Sequence, residues 1–445
     1  MTSDLPDDEG DDLLPHGRGP ESHDTAAAAT RAYVLHPDLK SAHSRRLPEH
    51  GLAEAVALAA ALPGMEVVGG EVVRLAKLAP GLLFGTGKVA ELKDRFAEAK
   101  VELVLVDGHV SPVQQRNLEK EWGVKLLDRT SLILEIFADR ARTREGVLQV
   151  ETAALSYQRT RLVRAWTHLE RQRGGFGFVG GPGETQLESD RRAIDDQVIR
   201  LKRQLEKVAK TRELHRAARR KVPFPLVALV GYTNAGKSTL FNRMTGSDVL
   251  AKDMLFATLD PTMRGVVLPS GRKIIASDTV GFISDLPTQL VAAFRATLEE
   301  VLEADLILHV RDISHPESAE QAADVADILT SLGVGAGVPQ FEVWNKLDLV
   351  DPSARDSLMA QRETRAGVFP VSALTGEGVD GLLDAISLAF EEVKVTEALT
   401  LSFAEGRLRA RLHALGVVMT EQQGDDGYQI TVRWTDRQKA QWTAD

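Results

Sequence analysis

The 445-residue sequence contains no cysteine, which excludes disulfide bonds, thiolate metal sites and cysteine nucleophiles. It also lacks any run of about 18 apolar residues, so we expect no membrane-spanning helix. The first nine residues are acidic, where a secretory signal would be basic and then apolar. With 43% apolar residues the chain has the composition of a folded globular protein, and its length suggests about three domains. We therefore expect a cytoplasmic protein.

Charge is unevenly distributed along the chain. Residues 1–24 hold eight acidic side chains against one arginine, whereas residues 151–221 hold 17 Lys/Arg against 9 Asp/Glu, within a chain of net charge −10. A basic segment in an acidic protein indicates contact with an anionic partner, most commonly nucleic acid. The alternative is a solvated, arginine-rich helical surface, and charge alone does not choose between the two.

Composition and hydrophobic periodicity divide the chain into five parts. Short β-branched runs alternate with helical patterns in two regions, which predicts an α/β domain with a mainly parallel sheet in the first and a doubly wound sheet in the second. The predicted strands are residues 31–36, 71–76, 101–107 and 124–128 in the first region and 225–230, 273–278, 306–310, 341–344 and 368–371 in the second. The predicted parts are a disordered acidic leader (1–30), an N-terminal α/β domain (31–145), a helical hairpin (146–221), a second α/β domain (222–394) and a small α+β C-terminal domain (395–445).

The hairpin is predicted from two segments whose apolar residues recur with helical spacing. Leu148, Leu155 and Leu162 are seven residues apart, and the apolar positions from Ile194 to Val208 alternate steps of four and three, as in a coiled-coil seam. Between them, residues 167–184 contain six glycines and a proline, which is typical of a loop. The sequence therefore predicts an antiparallel hairpin with a glycine-rich tip.

Residues 231–239 read Gly-Tyr-Thr-Asn-Ala-Gly-Lys-Ser-Thr between an apolar strand and a helical pattern, which is a phosphate-binding P-loop in its required context. The glycines let the backbone wrap the phosphates, and the N–H groups at the helix start point at the anion. We expect Lys237 to reach the β- and γ-phosphates and Ser238 to ligate Mg²⁺. The chain is therefore predicted to bind a nucleoside triphosphate.

The identity of the base follows from Asn345-Lys-Leu-Asp348, at the end of an apolar strand. A buried aspartate there can accept hydrogen bonds from N1–H and the 2-amino group of guanine, whereas adenine lacks that donor pair. Ser372-Ala-Leu374, after the next strand, can supply a backbone N–H to the guanine O6. These segments predict GTP and GDP as ligands.

Two further segments lie between the phosphate and base motifs. Asp278-Thr-Val-Gly281 fits the motif in which the aspartate holds Mg²⁺ through water and the glycine N–H senses the γ-phosphate. The loop Thr258–Thr262 offers a threonine for Mg²⁺, and we favour Thr258 over Thr262. The predicted catalytic residues are Asn234, Lys237, Thr258 and Gly281; the metal ligands are Ser238 and Thr258; and the nucleotide contacts are Gly231, Tyr232, Thr233, Asn234, Ala235, Gly236, Lys237, Ser238, Phe256, Ala257, Thr258, Leu259, Asp260, Asp278, Thr279, Val280, Gly281, Asn345, Lys346, Leu347, Asp348, Ser372, Ala373 and Leu374.

One position departs from the common GTPase pattern. Phe282 follows Gly281, where many GTPases place a glutamine that orients the attacking water. We therefore expect slow intrinsic hydrolysis. In GTPases with asparagine at the position of Asn234, that side chain helps to hold K⁺, so we expect K⁺ and a large partner to stimulate hydrolysis.

The motifs resemble those of one family. Gly231–Asn242, Leu255–Thr262, residues 278–287 (Asp-Thr-Val-Gly-Phe-Ile-Ser-Asp-Leu-Pro) and Gly181–Glu188 in the glycine-rich loop are similar to HflX, a ribosome-associated GTPase family of the Obg–HflX group. The resemblance covers roughly residues 31–395. It implies a GTPase that binds the large ribosomal subunit and, with GTP, splits stalled ribosomes. We separately expect a monomer that depends on Mg²⁺.

In this family the hairpin tip points at the peptidyl-transferase region, which implies rRNA contacts here. The arginines around the tip would bind phosphates and its phenylalanines would stack on bases, and the residues concerned are Arg164, Arg171, Arg173, Phe176 and Phe178. A flexible linker with two tucked phenylalanines is the alternative. Two other functions also stay open, a regulatory GTPase that acts on a protein partner and an ATP-dependent RNA remodeller.

Gly85-Thr-Gly-Lys88 resembles a second phosphate loop, and an ATP-dependent role has been attached to some members of the family. Here Val89 follows the lysine where serine or threonine is needed, and the first glycine of the motif would fall on Leu82. We therefore interpret Gly85 and Gly87 as a turn into a helix, with a second nucleotide site as the alternative.

Overall fold

The computed structural model describes residues 29–39, 46–172, 182–220, 224–246, 255–256, 258–259, 261–284, 300–334, 337–391 and 394–443. The predicted acidic leader lies outside these residues, apart from its last two positions. Within this part of the chain, no helix is both long enough and apolar enough to cross a membrane.

The N-terminal domain is a four-stranded parallel sheet of order β2-β1-β3-β4 with helices between the strands. Its elements are β1 (Thr30–Leu39), α1 (Pro48–Ala60), β2 (Met65–Leu75), α2 (Thr86–Glu98), β3 (Leu103–Val106), α3 (Pro112–Trp122), β4 (Lys125–Asp128) and α4 (Arg129–Arg140). Helix α3 starts with a capping box between Ser111 and Gln114 and ends at Gly123 in the left-handed conformation, so its sequence specifies both ends.

Strand β2 begins six residues before the Glu71 start that the sequence predicted. Gly69 and Gly70 interrupt the β-branched pattern, which is why the first half of the strand was missed. The structure shows why a glycine lies there. A Cβ on Gly69 would be 2.6 Å from the ring of Tyr33 on the neighbouring strand.

The hairpin consists of α5 (Arg144–Gln172) and α6 (Pro182–Arg220), which pack against each other. Leu148 and Leu201 are buried, and Arg159 pairs with Asp195 across the two helices at 2.6 Å. The predicted loop at residues 167–184 was too long, because α5 continues to Gln172 and α6 begins at Pro182, where proline is compatible with the first helical turn. Residues 173–181 lie outside the described part of the chain.

The second α/β domain is a six-stranded sheet of order β10-β9-β8-β5-β7-β6, with only β6 antiparallel to its neighbour. Its elements are β5 (Leu226–Gly231), α7 (Lys237–Thr245), β6 (Thr262–Val267), β7 (Lys273–Asp278), β8 (Leu306–Asp312), α8 (Ser318–Leu332), β9 (Gln340–Asn345), α9 (Pro352–Glu363), β10 (Val368–Pro370) and α10 (Val379–Ala389). The sequence analysis missed β6, an edge strand in which Arg264, Gly265 and Val267 are exposed and Val266 is buried.

The C-terminal domain is a three-stranded antiparallel sheet of order β11-β13-β12 with two helices. Its elements are β11 (Val395–Ser402), α11 (Gly406–Ala414), β12 (Val418–Gln423), β13 (Gly427–Trp434) and α12 (Asp436–Thr443). Leu401, Leu412 and Trp434 belong to its separate core. The predicted fold class is confirmed: a parallel α/β domain, a helical hairpin, a P-loop domain and a small α+β domain.

Candidate nucleotide-binding site

The P-loop lies between the end of β5 and the start of α7 and requires glycine at both ends. Gly231 has φ +155° and Gly236 has φ +88°. A Cβ on Gly231 would be 2.1 Å from the Val310 carbonyl oxygen, and one on Gly236 would be 2.2 Å from the Asn345 amide nitrogen. Only glycine fits either position. Without side chains there, the loop backbone can approach a bound phosphate closely.

Lys237, the first residue of α7, is buried beneath this loop. Its Nζ donates to the carbonyl oxygens of Gly231 at 3.1 Å and Tyr232 at 2.8 Å. Burial lowers the pKa of Lys237 to about 8, although the nearby Asp278 carboxylate opposes that shift. Among the described residues this ammonium group donates hydrogen bonds to neutral carbonyl groups, so it can still pair with an anion.

Ser238, Thr258 and Asp278 form a cluster at one side of the loop. The Ser238 hydroxyl donates to Asp278 Oδ2 at 2.7 Å, and the Thr258 hydroxyl lies 2.8 Å from Ser238 Oγ and donates to the same carboxylate oxygen at 2.9 Å. Asp278 Oδ1 is buried with no hydrogen-bond partner among the described residues, and burial raises the pKa of this carboxyl. Two hydroxyls and a carboxylate are oxygen donors of the kind that Mg²⁺ prefers.

The other Mg²⁺ candidate, Thr262, is not part of this cluster. It is the first residue of β6 and pairs with Asp278 across the sheet edge.

The opposite end of the site is tied to the P-loop by Asn345. Its amide nitrogen donates to the Ala235 carbonyl at 2.8 Å, and its amide oxygen accepts from the Ala373 N–H at 2.9 Å. Ser372 donates to Asp348 Oδ1 at 2.5 Å. The sequence analysis expected a buried Asp348 carboxylate, and this was wrong: Asp348 is exposed, at the rim of the site.

One cavity of about 410 Å³ spans both ends of the site. Its lining includes Thr239 and Leu349, which the sequence analysis did not name. Each directly follows a predicted site residue, Ser238 or Asp348, and this adjacency was the available signal. The predicted residues that line the cavity are Thr233, Asn234, Gly236, Lys237, Ser238, Phe256, Thr258, Thr279, Gly281, Asn345, Lys346, Asp348, Ala373 and Leu374.

Other predicted residues do not line this cavity. The residues in this group are Gly231, Tyr232, Ala235, Leu259, Asp278, Val280, Leu347 and Ser372. They lie in adjacent backbone segments or support lining residues through hydrogen bonds. Ala257 and Asp260 lie outside the described residues.

Two positions bear on the expected slow hydrolysis. Phe282 is 1% exposed within the core, so its ring is directed into the protein interior. Asn234 lines the cavity with φ +59°, a left-handed conformation that asparagine tolerates better than most residues.

The side chains predicted to contact rRNA lie outside the described part of the structure. Arg164 and Arg171 belong to α5, but their side chains lie outside the description, and Arg173, Phe176 and Phe178 lie wholly outside it.

The segment resembling a second phosphate loop is described in full. Lys88 lies 2.8 Å from carboxylate oxygens of both Glu71 and Glu91, and Gly85 is the residue before α2. A lysine neutralised by two carboxylates favours the interpretation that the glycines only turn the chain into the helix.

Comparison with known families gives four consecutive matches. The models are described as GTP-binding GTPase N-terminal (residues 49–138), GTP-binding GTPase middle region (140–219), 50S ribosome-binding GTPase (226–346) and HflX C-terminal domain (357–443). GTPase HflX of Magnetococcus marinus is 47% identical over 406 residues, which cover 91% of this chain and 92% of that protein. This chain belongs to the HflX family of GTPases. The resemblance inferred from the motifs is therefore confirmed.

Other HflX relatives are similar over most of their length. GTPase HflX of Escherichia coli is 44% identical and covers 78% of this chain and 81% of its own. Putative GTP-binding protein 6 of Xenopus laevis is 37% identical over a segment that covers 85% of this chain and 71% of that protein. Among solved structures, a GTP-binding protein from Sulfolobus solfataricus in complex with GDP covers 81% of this chain and 98% of its own, with 23% identity and a TM-score of 0.43.

Membership of the HflX family confirms the predicted enzyme class: the protein binds guanine nucleotides and hydrolyses GTP. The HflX C-terminal model begins at residue 357, inside α9, and so includes the end of the P-loop domain as well as residues 395–443.

Proposed function

We propose that this HflX-family GTPase binds the large ribosomal subunit in the cytoplasm and, in its GTP-bound form, splits or rescues stalled ribosomes. The match of residues 226–346 to a 50S ribosome-binding GTPase model supports the partner. The observation that carries the proposal is a long basic hairpin rooted in the N-terminal domain. At 39 residues, α6 is about 60 Å long, enough to reach far into a large assembly.

The root of the hairpin is a buried carboxylate. Asp128, at the end of β4, accepts hydrogen bonds from the Tyr157 hydroxyl and from Arg161 Nη1 at 3.0 Å, both on α5. Asp128 is 2% exposed, and Arg161 also donates to the Val110 carbonyl at 3.2 Å. Because these contacts are buried and charged, they favour a fixed angle between hairpin and domain.

The site residues divide into phosphate, metal and base contacts in this proposal. The P-loop N–H groups and Lys237 bind the β- and γ-phosphates, the Gly281 N–H senses the γ-phosphate, and Asp348 reads guanine. Ser238 and Thr258 would hold Mg²⁺ with the help of Asp278, whose carboxylate contacts both hydroxyls. When bound, Mg²⁺ neutralises charge that develops on the phosphates.

Hydrolysis acts as the switch. With GTP bound, the segments around Thr258 and Gly281 are ordered, and this fixes the hairpin in its ribosome-binding orientation. Loss of the γ-phosphate removes those contacts and releases the protein, which we expect to act as a monomer.

We propose that the Asn234 side chain helps to hold K⁺ beside the phosphates. Turnover should then be faster in K⁺ than in Na⁺ buffer, and the difference should disappear in Asn234→Ala. Equal turnover of the unmodified protein in the two buffers would refute the role of K⁺.

Contact of the hairpin tip with rRNA is tested by charge reversal. We expect the double variant Arg171→Glu/Arg173→Glu to lose co-sedimentation with the large subunit while its affinity for GDP is unchanged. Arg164, Phe176 and Phe178 belong to the same proposed contact. The control variant Arg200→Glu/Arg203→Glu reverses two exposed charges on α6, about 30 Å from the start of that helix at 1.5 Å per residue, and should still bind.

Unchanged co-sedimentation of the tip variant would overturn the rRNA contact. Binding to rRNA further predicts that association weakens steeply with salt and survives on protein-stripped rRNA. Binding that is lost on stripped rRNA would instead support a protein partner.

A further inference from the structure

The side chain of Tyr232 does not line the nucleotide cavity, although its backbone belongs to the P-loop. It is 4% exposed, beside a second cavity of about 210 Å³ between the P-loop and the N-terminal domain. A phenol has one proton to donate and two lone pairs to accept with. All three are used: the hydroxyl donates to Glu54 and accepts from Arg46 Nη1 at 2.9 Å and from the Ser284 N–H at 2.8 Å.

Ser284 follows Gly281 by three residues, and each of its polar groups is bound. Its N–H donates to Tyr232, its carbonyl accepts from Arg129 Nη2 at 2.9 Å, and its hydroxyl lies 2.8 Å from Arg46 Nη1 and 3.1 Å from Glu54 Oε1. The end of the Asp-x-x-Gly segment is therefore fixed by the P-loop tyrosine and by the N-terminal domain.

The three charged residues come from separate parts of the N-terminal domain: Arg46 precedes α1, Glu54 lies in α1, and Arg129 begins α4. Glu54 lies 2.8 Å from Arg46 and 2.7 Å from Arg129, and its side chain is 9% exposed. Burial opposes ionisation of Glu54, but the two guanidinium groups prevail and hold the pKa of its carboxyl below the usual value. Burial and the Glu54 charge also raise the pKa of Tyr232, so the phenol keeps its proton. Because each of these buried charges is paired, Arg46, Glu54 and Arg129 hold one another in place beside Tyr232.

The P-loop and the Asp-x-x-Gly segment are in direct contact. The Thr233 N–H donates to the Phe282 carbonyl at 2.7 Å, and the Phe282 N–H donates to the Gly231 carbonyl at 3.1 Å. A Cβ on Gly281 would be 2.9 Å from Thr233 Cα and 3.0 Å from Lys237 Nζ. Gly281 therefore packs against Thr233 and the phosphate-binding lysine, three residues before the hydrogen-bonded Ser284.

We propose that Tyr232 is a positioning residue for GTP hydrolysis: its hydroxyl, anchored by Glu54 and Arg46, holds the Asp-x-x-Gly segment against the P-loop. The N-terminal domain thereby contributes to hydrolysis in a site where Phe282 cannot orient water. The proposal rests on the role in γ-phosphate sensing proposed above for Gly281.

Tyr232→Phe in the full chain tests this role because it removes one hydroxyl and leaves the ring. We expect kcat to fall by about tenfold or more, since small misplacements at a reacting centre have large effects on rate, while the Kd values for GDP and GTP stay within about twofold. Glu54→Gln should shift kcat in the same direction.

The matched control is Tyr157→Phe, which removes another buried tyrosine hydroxyl bound to a carboxylate, that of Asp128, away from Ser284. It should lower thermal stability to a similar extent and leave kcat unchanged. A normal kcat in Tyr232→Phe would overturn the proposal, and so would an equal loss of kcat in both tyrosine variants, because a purely structural effect would then suffice.

A third variant separates this proposal from the role of Gly281. If Tyr232→Phe lowers kcat and Gly281→Ala does not, Tyr232 still positions the segment and γ-phosphate sensing by Gly281 is wrong. If both lower kcat without weakening GDP binding, the role of Tyr232 is supported, whereas the loss in Gly281→Ala reports only displacement of the segment, because its added Cβ would be 2.9 Å from Thr233 Cα and 3.0 Å from Lys237 Nζ.

Discussion

At the scale of single residues, Lys237 illustrates how the P-loop prepares for an anion. Its ammonium group is buried against two carbonyl oxygens, and burial lowers its pKa to about 8 from the ordinary value of 10.5. Between these two pH values the unfolded chain binds more protons at this site than the folded protein does. The free energy of unfolding of the nucleotide-free protein should therefore gain from Lys237 deprotonation as pH rises through this window.

Nucleotide binding should reverse this effect, because the phosphates favour the charged lysine. We predict that GDP affinity falls as pH rises above about 8 and that binding at pH 9 takes up close to one proton. Calorimetric titration in two buffers of different ionisation enthalpy measures this uptake. A heat of binding that is independent of the buffer at pH 9 would contradict the assigned state of Lys237.

Asp348 is the second residue for which a specific prediction can be made, and it concerns the choice of base. In Asp348→Asn, an amide replaces one carboxylate acceptor by a donor, so the site should lose GTP and gain xanthosine triphosphate, whose base has an oxygen in place of the 2-amino group. We expect GTP affinity to fall by about 100-fold or more, because a site built for hydrogen bonding rejects a ligand that leaves its groups unpaired. Calorimetric titration of the unmodified protein and the variant with GTP and with xanthosine triphosphate measures both affinities.

Asp351→Asn is the matched control for this change. Asp351 is an exposed aspartate three positions further on, outside the cavity lining, and the same substitution there should leave both affinities unchanged. ATP binding to the unmodified protein as tightly as GTP would refute base selection by Asp348.

Much of the nucleotide site was predictable from sequence because its residues lie in short contiguous motifs. The P-loop, Asp278–Gly281 and Asn345–Asp348 each place their chemistry at a strand end, where a doubly wound sheet gathers it. Arg46, Glu54 and Arg129 carry no such signal. They reach Tyr232 and Ser284 only through the packing of two domains, and a lone arginine or glutamate in a sequence does not reveal which distant carbonyl or hydroxyl it will bind.

At the scale of elements, the hairpin depends on Asp128. This carboxylate also accepts from the Ser131 N–H at 2.9 Å and so caps α4 while it holds α5. One side chain therefore contacts both α4 and α5 where they meet the N-terminal sheet.

Asp128→Asn should destabilise the protein by about 2–3 kcal/mol, because it leaves Arg161 without its buried counter-charge. Urea unfolding measures the loss, and hydrogen exchange should increase first in α5. Arg192→Ala, which breaks an exposed pair with Glu188, is the control and should change stability by less than about 0.5 kcal/mol. Equal effects of the two variants would contradict the role of Asp128 as the root of the hairpin.

Element boundaries were least predictable where glycine or proline occurs inside or beside regular structure. The glycines at 69 and 70 concealed half of β2, and Pro182 suggested a loop where a helix begins. In β2, local propensity argues against a strand and packing decides otherwise, because the Tyr33 ring occupies the space beside Gly69. In α6, proline at the first helical position is compatible with both a loop and a helix start, so its sequence left the boundary open.

At the scale of the whole molecule, the N-terminal domain contacts the hairpin and the P-loop domain through two neighbouring residues. Asp128 binds the hairpin, and Arg129 binds Ser284 of the P-loop domain. Arg46 extends this junction to Glu317, 271 positions away in the chain, with 2.8 Å between the interacting atoms. Contacts over such distances were not predictable from the sequence. They provide a short physical route between the segment proposed to sense the γ-phosphate and the hairpin.

Light scattering of intact ribosomes tests the central claim most directly. On mixing with this protein, we predict that scattering falls in the presence of GTP or a non-hydrolysable analogue and stays constant with GDP, because only the triphosphate orders the segments that orient the hairpin. An equal fall with GDP, or no fall with GTP, would contradict the account of this protein as a GTP-driven ribosome-splitting factor.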